Sequence, residues 1–447
     1  MKKVITYGTY DLLHEGHINL LRRAKELGDY LIVGVTSDSF DRGRGKLNVR
    51  NNVLERVEAV KATGYADEVI IEDYLGQKID DIQRYDVDVF AIGSDWEGKF
   101  DYLNEYCKVV YLPRTEGISS TMLREQTEEV FRIGIVGSGR IAKRFVPESK
   151  FVNSANISAV YDPNKDNAKI FGEEFDIKAF FDNYEDFLKE VDAVYVASPH
   201  LTHYEYTKRA LYAGKHVLCE IPFMLSAEQA RELYDYAESH NLVLLEASKT
   251  AFCPSFNHLV TLVKSGVIGD VVDVKASLSK IVSEPTRELN ADEAGGAMNE
   301  HAPLNLMAII RLLGKDINKV DFYSKVENGV DIYTKVNIEY PHATSSATLG
   351  IGVKTEGNLV VSGTKGYVYV PAPWWLTDYF EIRYEDQTKN KKFFYSYDGD
   401  GLRYEIQEFM SMIVNNRKSS YKLRRSESIA IAKIIEKFNQ KENYKQI

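Results

Sequence analysis

A strand that runs into a glycine-rich turn and then into a helix is the feature that most constrains this chain. The stretch TEEVFRIGIVGSGRIA, residues 127–142, has this pattern, with Gly137, Gly139 and Ala142 spaced as G-x-G-x-x-A. Such a unit usually opens a doubly wound α/β domain, yet 126 residues precede it here. Because a chain of 447 residues also exceeds what one hydrophobic core usually supports, we expect two or three domains.

Strand-like and helix-like segments alternate in two series and then give way to strands at short spacing. Segments such as KKVITYG, YLIVGVT and VDVFAIG alternate with helical patterns from residue 2 to about residue 124. A second series, FRIGIVG, ISAVYD, DAVYVAS, HVLCE and LVLLEA, follows from residue 130. Both series predict parallel sheets covered by helices. From about residue 271, long strands such as VVDVKASLS and DIYTKVNIEY predict an antiparallel sheet, and helical patterns follow it.

The predicted fold class is therefore α/β. A Rossmann-like N-terminal domain, residues 1–126, is fused to a second Rossmann domain of the dinucleotide-binding type, residues 127–250. An α+β domain with a large antiparallel sheet and C-terminal helices takes residues 251–447. The polar stretch LREQTEEV, residues 123–130, is the predicted joint and a predicted helix.

Composition excludes several classes of partner and compartment. A net charge of −10 disfavours nucleic acid, because binding to a phosphate backbone requires clustered basic surface. No apolar run reaches the length of a membrane span, and MKKVITYGTYD is typical of a strand and a glycine turn rather than of a signal peptide. Cys107, Cys219 and Cys253 are odd in number and too far apart for a zinc ligand set. We therefore expect a cytoplasmic protein with reduced thiols and no protein-bound metal site.

Two histidines follow the first strand, where a helix is predicted to begin. In GTYDLLHEGHINLL, His14 and His17 are three residues apart, so both side chains can project to the same side of the helix. Gly8 allows a ligand to approach the backbone, and the N–H groups of the helix start suit a phosphate. Imidazoles there can donate hydrogen bonds to a phosphoryl group under attack, which favours nucleotidyl transfer. The alternative is that both histidines are core or capping residues.

The histidine pair resembles the HxGH signature of the cytidylyltransferase branch of the nucleotidyltransferase superfamily. Further motifs over residues 2–125 resemble the bacterial glycerol-3-phosphate cytidylyltransferases: Lys46 in a basic loop, Arg56 in VLERVEAV, GSDWEGKFDYL and RTEGISST. The resemblance implies that His14 and His17 stabilise the transition state at the α-phosphate of CTP, with Mg²⁺ sharing the charge. It also implies that Lys46 and Arg114 act on phosphate charge as catalytic residues.

The same resemblance implies a set of residues that bind CTP and the acceptor. These are Gly8, Thr9, Tyr10, Asp11, Arg56, Asp95, Trp96, Thr115, Ser119, Ser120 and Thr121. For Trp96 the alternative is simple packing, and for Arg56 a surface ion pair. The basic loop RGRGKLNVRNN departs from the family because it has one lysine and several arginines. The acceptor is therefore open: glycerol-3-phosphate, glycerol-2-phosphate or a longer polyol phosphate.

The glycine turn at residue 137 predicts a second ligand. Asp162 ends the next predicted strand, twenty positions after Ala142, where it can accept hydrogen bonds from adenosine ribose hydroxyls and repel a 2′-phosphate. This arrangement predicts NAD(H) rather than NADP(H). The turn residues expected to bind it are Gly137, Ser138, Gly139, Arg140 and Ile141. The alternative is a glycine turn that binds no ligand.

Residues from about 130 to 440 resemble the Gfo/Idh/MocA family of nicotinamide-dependent sugar and polyol oxidoreductases. The resemblance rests on DAVYVASPHLTHYEYTKRALYAGKHVLCEIPF, KSGVIGDVVDV, AGGAMNEHAPLNLMAIIRLLG and VSGTKGYVYVP. It implies further cofactor contacts at Ser198, Pro199, His200, His203 and Glu220.

This second region departs from its family at the reacting centre. The family's substrate lysine falls on Ile221 and its catalytic histidine on Leu304, while Glu300 and Met307 take two aspartate positions. Reduction of a carbonyl requires an acid near the reacting oxygen. His301, one helical turn before Leu304, is predicted to replace the missing acid. His200, His203 and Lys249 are alternative candidates. A further alternative is that all four are polar or structural residues without a catalytic role.

Three hypotheses follow. The first is a bifunctional enzyme, in which the second half makes a polyol or polyol phosphate that the first half activates with CTP, for example for a cell-surface polymer. The second is a cytidylyltransferase whose second half is a silent NAD-binding module for dimerisation or regulation. An RNA-modifying relative is disfavoured by the acidic charge. Small-molecule substrates and a homo-oligomer, at least a dimer, are expected in either of the first two cases.

Overall fold

The chain, seen in a computed structural model, is described over residues 1–47, 49–74, 76–113, 130–283, 286–396 and 399–447. It forms two compact units: residues 1–130 with 151–154, and residues 131–150 with 155–447. Most of the predicted joint lies outside the described residues, as do Arg114, Thr115, Ser119, Ser120 and Thr121. The division of the chain at residues 126 and 250 stays a prediction.

Within its described residues, the first unit is built on a parallel sheet with strand order β3-β2-β1-β4-β5. The strands are β1 (Lys3–Gly8), β2 (Tyr30–Thr36), β3 (Glu68–Glu72), β4 (Val89–Gly93) and β5 (Lys108–Leu112). The helices are α1 (Glu15–Lys25), α2 (Asp38–Gly43), α3 (Val53–Ala62) and α4 (Gln77–Tyr85).

Alternation along the strands of the first unit builds a core on each face of the sheet. Val4, Leu31 and Val33 belong to one buried cluster, and their chain neighbours Ile5 and Ile32 belong to the other. Successive side chains of a strand point to opposite faces, so apolar residues at every position are buried on both sides. Because the strands are parallel, the loops that follow β1, β2 and β4 meet at the carboxyl edge of the sheet, where ligands bind in folds of this kind.

The second unit begins with a parallel Rossmann sheet in the order β11-β10-β9-β6-β7-β8. Its strands are β6 (Phe131–Val136), β7 (Ala155–Tyr161), β8 (Ala179–Phe181), β9 (Ala193–Val196), β10 (His216–Glu220) and β11 (Leu244–Ala247). The helices between and after them are α5 (Arg140–Ser149), α6 (Lys165–Phe175), α7 (Tyr184–Lys189), α8 (His203–Tyr212), α9 (Ala227–Ser239), α10 (Lys249–Phe252) and α11 (Pro254–Lys264).

A large sheet follows, in the order β19-β18-β17-β16-β12-β15-β14-β13-β20. Its strands are β12 (Val271–Ser279), β13 (Lys319–Glu327), β14 (Val330–Glu339), β15 (Thr344–Gly350), β16 (Leu359–Gly363), β17 (Tyr367–Val370), β18 (Tyr379–Arg383), β19 (Lys391–Phe394) and β20 (Tyr444–Gln446). Its helices are α12 (Ala297–Leu313), α13 (Leu402–Val414) and α14 (Arg425–Asn439). Helix α12 packs on β12, β14 and β15.

This sheet is mixed, not antiparallel as the strand spacing predicts. Strands β12 and β15 pair in parallel, as do β13 and β20, while the other pairings are antiparallel. A long crossover connection makes a parallel pair possible. Here α12 lies between β12 and β13, so the chain returns across the sheet before the β13–β14–β15 meander begins. Strand spacing alone does not reveal this crossover.

Candidate active sites

The histidine pair of the first unit lies at the start of α1. His14 is the N-cap residue, and its Nδ1 accepts a hydrogen bond from the backbone N–H of Gly16 at 3.1 Å. The imidazole rings of His14 and His17 stack with centroids 4.0 Å apart. Because Nδ1 of His14 is an acceptor, the neutral ring carries its proton on Nε2. The pair therefore combines capping with ring N–H groups beside the helix N-terminus, where an anion is favoured.

Lys46 is held at the end of β1, on the same edge as the histidines. Its Nζ donates to Oγ1 of Thr9 at 2.7 Å, and Thr9 Oγ1 in turn donates to Oδ1 of Asp41 at 3.2 Å. Arg44 also pairs with Asp41, with 3.0 Å between Nη2 and Oδ1. Burial raises the pKa of Asp41, and Lys46, Arg44 and Arg56 oppose that rise. The buried Asp41 carboxylate therefore anchors the basic loop, directly through Arg44 and by way of Thr9 through Lys46.

Arg56, predicted to bind phosphate, has a buried side chain. It is 1% exposed, and it donates to the backbone oxygens of Thr9 and Thr36 at 2.7 and 2.8 Å. It also donates to Asp38 Oδ1 at 2.5 Å. Thr9 follows β1, Thr36 ends β2 and Asp38 begins α2, so Arg56 ties the carboxyl ends of two strands together. Its contact with phosphate stays a prediction.

The other predicted nucleotide and acceptor residues fall into three groups. Asp11 accepts from the backbone N–H groups of Arg50 and Asn51 at 3.1 and 3.0 Å, so it shapes the basic loop. The Tyr10 ring is 1% exposed and lies edge-on to His17, so its side chain is part of the core. Asp95 and Trp96 are exposed at the end of β4, where Trp96 also lies beside Phe100.

Lys78, at the start of α4, is a further cation after β3 that the sequence motifs do not indicate. Its Nζ pairs with Glu72 and lies 4.6 Å from the centre of the Tyr7 ring. Burial lowers its pKa, Glu72 opposes this effect, and Arg44 lowers the pKa further. Lys78 therefore places a buried cation at the carboxyl edge of the sheet. The available signal was a lysine shortly after β3 in the parallel series, the position where sites form in this fold.

In the second unit, the glycine turn has the geometry of a phosphate site. Gly137 has φ +93°, and a Cβ there would lie 2.8 Å from the carbonyl oxygen of Ala197, so glycine is required. Gly139 is the N-cap of α5 without a side-chain cap, and a Cβ there would meet nothing within 4 Å. The first N–H groups of α5 therefore face open space that suits a phosphate.

Asp162 lies beside this turn, as predicted. Its Oδ2 accepts from the backbone N–H and the hydroxyl of Ser138 at 3.2 and 2.6 Å, and its Oδ1 accepts from the N–H of Asn164. A carboxylate accepts about four hydrogen bonds, so one more position is open for a hydroxyl. The aspartate therefore links the turn to the end of β7.

His203 is a structural clamp and His200 is part of an ionic cluster. The His203 ring is buried between the carbonyl oxygens of Pro222 and Ser198, at 2.9 and 2.8 Å. It therefore joins the loops after β9 and β10. Burial lowers the pKa of His200 well below its usual value, and Arg287 lowers it further. Arg287 bridges His200 and Glu300, with 2.9 Å between Nη1 and Glu300 Oε1.

His301, the predicted catalytic residue, lies in the N-terminal part of α12. His301 precedes the half-buried Leu304 on α12, and burial lowers its pKa to about 4. Its ring is therefore neutral near pH 7, and a neutral imidazole is a much weaker acid than a protonated one. Glu220, at the end of β10, accepts a 2.5 Å hydrogen bond from Tyr195.

Two family models match the chain. Residues 5–126 match the family described as cytidylyltransferase-like, and residues 131–248 match the oxidoreductase family with a NAD-binding Rossmann fold. A glycerol-3-phosphate cytidylyltransferase from Bacillus spizizenii is 53% identical over 130 residues, which is 28% of this chain and 96% of the relative. One from Staphylococcus aureus is 52% identical over 126 residues, 28% of this chain and 95% of the relative. The chain belongs to the cytidylyltransferase family. It is a nucleotidyltransferase fused to an oxidoreductase-type region.

The second unit of this cytidylyltransferase has its own relatives. A trans-1,2-dihydrobenzene-1,2-diol dehydrogenase from Sus scrofa is 28% identical over 318 residues, 68% of this chain and 95% of the relative. KijD10, a 3-ketoreductase from Actinomadura kijaniata solved with NADP and TDP-benzene, has 24% identity and a TM-score of 0.64 over 71% of this chain and 99% of its own. A levoglucosan dehydrogenase has 16% identity and a TM-score of 0.63, over 69% and 96%. The predicted fold class is confirmed.

The two groups implied by these families fit the cytidylyltransferase unequally. A nicotinamide cofactor fits the uncapped N-terminus of α5, the glycine turn and Asp162. For a metal, the described residues contain no group of three or more His, Cys, Asp or Glu arranged as a ligand set. These described residues therefore do not fit a protein-held Mg²⁺. Among the helices that the structure describes, none combines the length and the apolar composition needed to span a bilayer.

Proposed function

We propose that the first unit transfers a cytidylyl group from CTP to a polyol phosphate of the glycerol phosphate class. The observation that carries this proposal is the stacked pair His14 and His17 at the start of α1, with Lys46 held on Thr9 at the same edge. Its relatives are glycerol-3-phosphate cytidylyltransferases. An acceptor phosphate oxygen attacks the α-phosphorus of CTP, the bond to pyrophosphate breaks, and a CDP-polyol forms.

In this reaction the protein supplies position and positive charge. Negative charge grows on the α-phosphate oxygens as the new bond forms, so donors aimed there stabilise the transition state more than the ground state. The Nε2–H of His14, the His17 ring and the N-terminal end of α1 provide such donors. Lys46 neutralises phosphate charge from the side of the basic loop. Phosphoryl transfer requires little else of a protein.

Arg44 and Lys78 are the proposed contacts to the acceptor phosphate. Both are cations at the carboxyl edge, each beside a buried carboxylate, Asp41 and Glu72. We expect Lys78→Met to raise the KM for the polyol phosphate at least tenfold and to leave the KM for CTP within twofold. Lys61→Met, which removes an exposed lysine paired with Glu58, is the control and should change neither.

The acceptor is tested by pyrophosphate release from CTP with glycerol-3-phosphate, glycerol-2-phosphate and longer polyol phosphates, each compared at equal concentration. The proposal requires that one of them gives a CDP-polyol with saturation kinetics. Nucleotidyl transfer to no polyol phosphate, with CTP nevertheless bound, would contradict it.

For the second unit we propose an NADH-dependent carbonyl reductase that supplies a polyol or polyol phosphate. The support is the phosphate-binding geometry of the glycine turn, with Asp162 at the end of β7. The diol dehydrogenase and ketoreductase relatives make carbonyl and hydroxyl chemistry the expected class. Asp162→Ser should weaken NADH binding by about tenfold and improve NADPH binding relative to NADH, because a carboxylate repels a 2′-phosphate. Titration by cofactor fluorescence measures both.

A silent cofactor-binding module is the second candidate, because Ile221 and Leu304 cannot carry a proton. NADH oxidation against a panel of keto and aldehyde polyol precursors, phosphorylated and free, separates the two. Turnover supports the reductase; tight NADH binding without turnover on any carbonyl supports the silent module.

A further inference from the structure

Two neighbouring strands bring Ile221 and Lys249 to one edge of the Rossmann sheet. Glu220, the last residue of β10, is paired with Ala247, the last residue of β11. Ile221 follows Glu220 directly, and Lys249 lies two residues beyond Ala247, at the start of α10. Both side chains are partly exposed. Position 221 has no cation, but Lys249 places one at the end of the neighbouring strand, on the same edge of the sheet.

The direction of a bound dinucleotide points to that edge. Phosphates would lie at the glycine turn after β6, and Asp162 at the end of β7 marks the adenosine side. In the order β11-β10-β9-β6-β7-β8, the nicotinamide end must then extend towards β9, β10 and β11. Three strand spacings correspond to about 14 Å, which an extended dinucleotide spans.

Lys249 is held in place by the loop that precedes α13, and this loop is tied to α5. Its Nζ donates to the carbonyl oxygen of Asp400 at 2.9 Å, and Asp400 is ion-paired with Arg144 of α5 at 2.5 Å. Burial lowers the pKa of Lys249; Arg144 lowers it further, while Asp400, Glu405 and Cys253 oppose the fall. A lysine with a lowered pKa gives up a proton more easily than an ordinary one.

Two buried carboxyls affect the charge of this lysine. Glu405 of α13 is 0% exposed, and Glu220 accepts from Tyr195. Burial raises the pKa of Glu220 to about 7, and burial together with Glu220 raises the pKa of Glu405 well above its usual value. Each carboxyl therefore keeps its proton to a higher pH than an ordinary carboxyl does.

We propose that Lys249 is the catalytic proton donor for carbonyl reduction in the second unit. This assignment rests on the proposed reductase function. NADH, when bound, supplies a hydride to the carbonyl carbon and becomes NAD⁺. The π-electron pair of the carbonyl moves to oxygen, and the Lys249 ammonium gives that oxygen a proton. The neutral amine of the partly exposed Lys249 then regains a proton from solvent.

The first test is kinetic. Lys249→Met should lower kcat for NADH-dependent carbonyl reduction at least 100-fold and leave NADH affinity within twofold. Lys249→Arg keeps the charge but cannot release a proton at these pH values, so it should also lose at least 100-fold. In the Lys249→Met background, Ile221→Lys should restore at least tenfold. His301→Ala is the rival, and we expect kcat within threefold of wild type.

The second test does not depend on turnover. Trace acetylation of amines between pH 6 and 10, quantified by mass spectrometry, gives the midpoint and rate for each lysine. We expect the midpoint of Lys249 to lie below that of the exposed Lys433, and saturating NADH to slow the labelling of Lys249 at least fivefold. Lys433 labelling should be unchanged by NADH.

The outcomes separate the two proposals. Turnover by wild type with Lys249→Met within twofold of it overturns the assignment and leaves the reductase standing. Labelling of Lys249 that NADH does not slow overturns the assignment as well. Wild type that binds NADH and reduces no carbonyl overturns the reductase function, and this assignment with it.

Discussion

At the scale of single residues, we propose that His14 combines capping with catalysis. Its Nδ1 caps α1 by accepting from Gly16, which fixes the ring proton on Nε2 when the ring is neutral. The cap thereby orients the proposed catalytic donor. The sequence left open whether His14 and His17 are capping or catalytic residues. For His14, the geometry shows that a capping residue can also present a ring N–H for catalysis.

Replacement of His14 can separate these functions. His14→Asn keeps a capping acceptor, as Asn52 provides for α3, but removes the imidazole. We expect its kcat for cytidylyl transfer to fall at least 100-fold, with the free energy of unfolding within about 0.5 kcal/mol of wild type. His14→Ala should lose the same activity and, in addition, about 1 kcal/mol of stability. The exposed His342→Ala is the control for both assays, and full activity in His14→Asn would refute the catalytic role.

Arg56 is a residue whose role only its burial reveals. Its partners are two backbone oxygens, the half-buried Asp38 and, at 3.5 Å, the buried Asp41, so removal would leave a buried carboxylate with one cation fewer. We expect Arg56→Ala to destabilise the first unit by about 3–5 kcal/mol, measured by urea unfolding. The control is Arg22→Ala, which removes an exposed pair with Glu26 and should cost about 0.5 kcal/mol. A stable Arg56→Ala that merely binds CTP less tightly would instead support a direct phosphate contact.

At the scale of elements, the start of α12 is built by a strand distant in sequence. The Oδ2 of Asp331, in β14, accepts from the N–H of Met298 at 2.9 Å and from the Thr334 hydroxyl at 2.6 Å. Gly296, the N-cap, has φ +121°, and a Cβ there would lie 2.0 Å from Asp331 Oδ1. The helix that crosses the large sheet is thus capped from the sheet.

This cap predicts the cost of a single methyl group. Gly296→Ala combines an unfavourable φ with a clash against the capping carboxylate, so we expect a loss of about 3 kcal/mol or more in unfolding free energy. Gly266→Ala is the matched control, because Gly266 also has positive φ but a Cβ there meets nothing within 4 Å; it should cost about 1 kcal/mol. Equal losses at the two positions, by thermal or urea unfolding, would show that the clash is relieved cheaply.

At the scale of the whole molecule, the stability of the second unit should depend on pH through Glu246. This residue, in β11, is 1% exposed, and burial raises its pKa to about 7 from an ordinary 4.5. A carboxyl with a raised folded-state pKa contributes fully below pH 4.5, and the contribution is lost as the pH rises towards 7. The loss is about 3 kcal/mol.

Glu246→Gln should remove this dependence. Calorimetry at pH 8 should show the variant unfolding at a higher temperature than wild type, whereas at pH 4.5 the two should agree closely. The transition of the first unit should be unchanged at both values. Glu190→Gln, at an exposed position, is the control. A variant less stable than wild type at pH 8 would mean that the ionised carboxylate is well solvated in the folded protein.

Local patterns in the amino-acid sequence by themselves determined much of this protein. The alternation of apolar segments with helical patterns was enough to predict the two parallel sheets, because a parallel sheet needs helices on both faces to bury its apolar strands. The HxGH stretch and the glycine turn with Asp162 located both candidate sites, since such sites form where parallel strands end. Contacts between distant segments were decided only by the tertiary structure: the parallel pairing of β12 and β15, the burial of Arg56 beneath two loops, and Lys249 beside the ends of two strands. Sequence spacing carries no information on these contacts, because each one joins segments that are far apart in sequence and become neighbours only when the helices and sheets pack together.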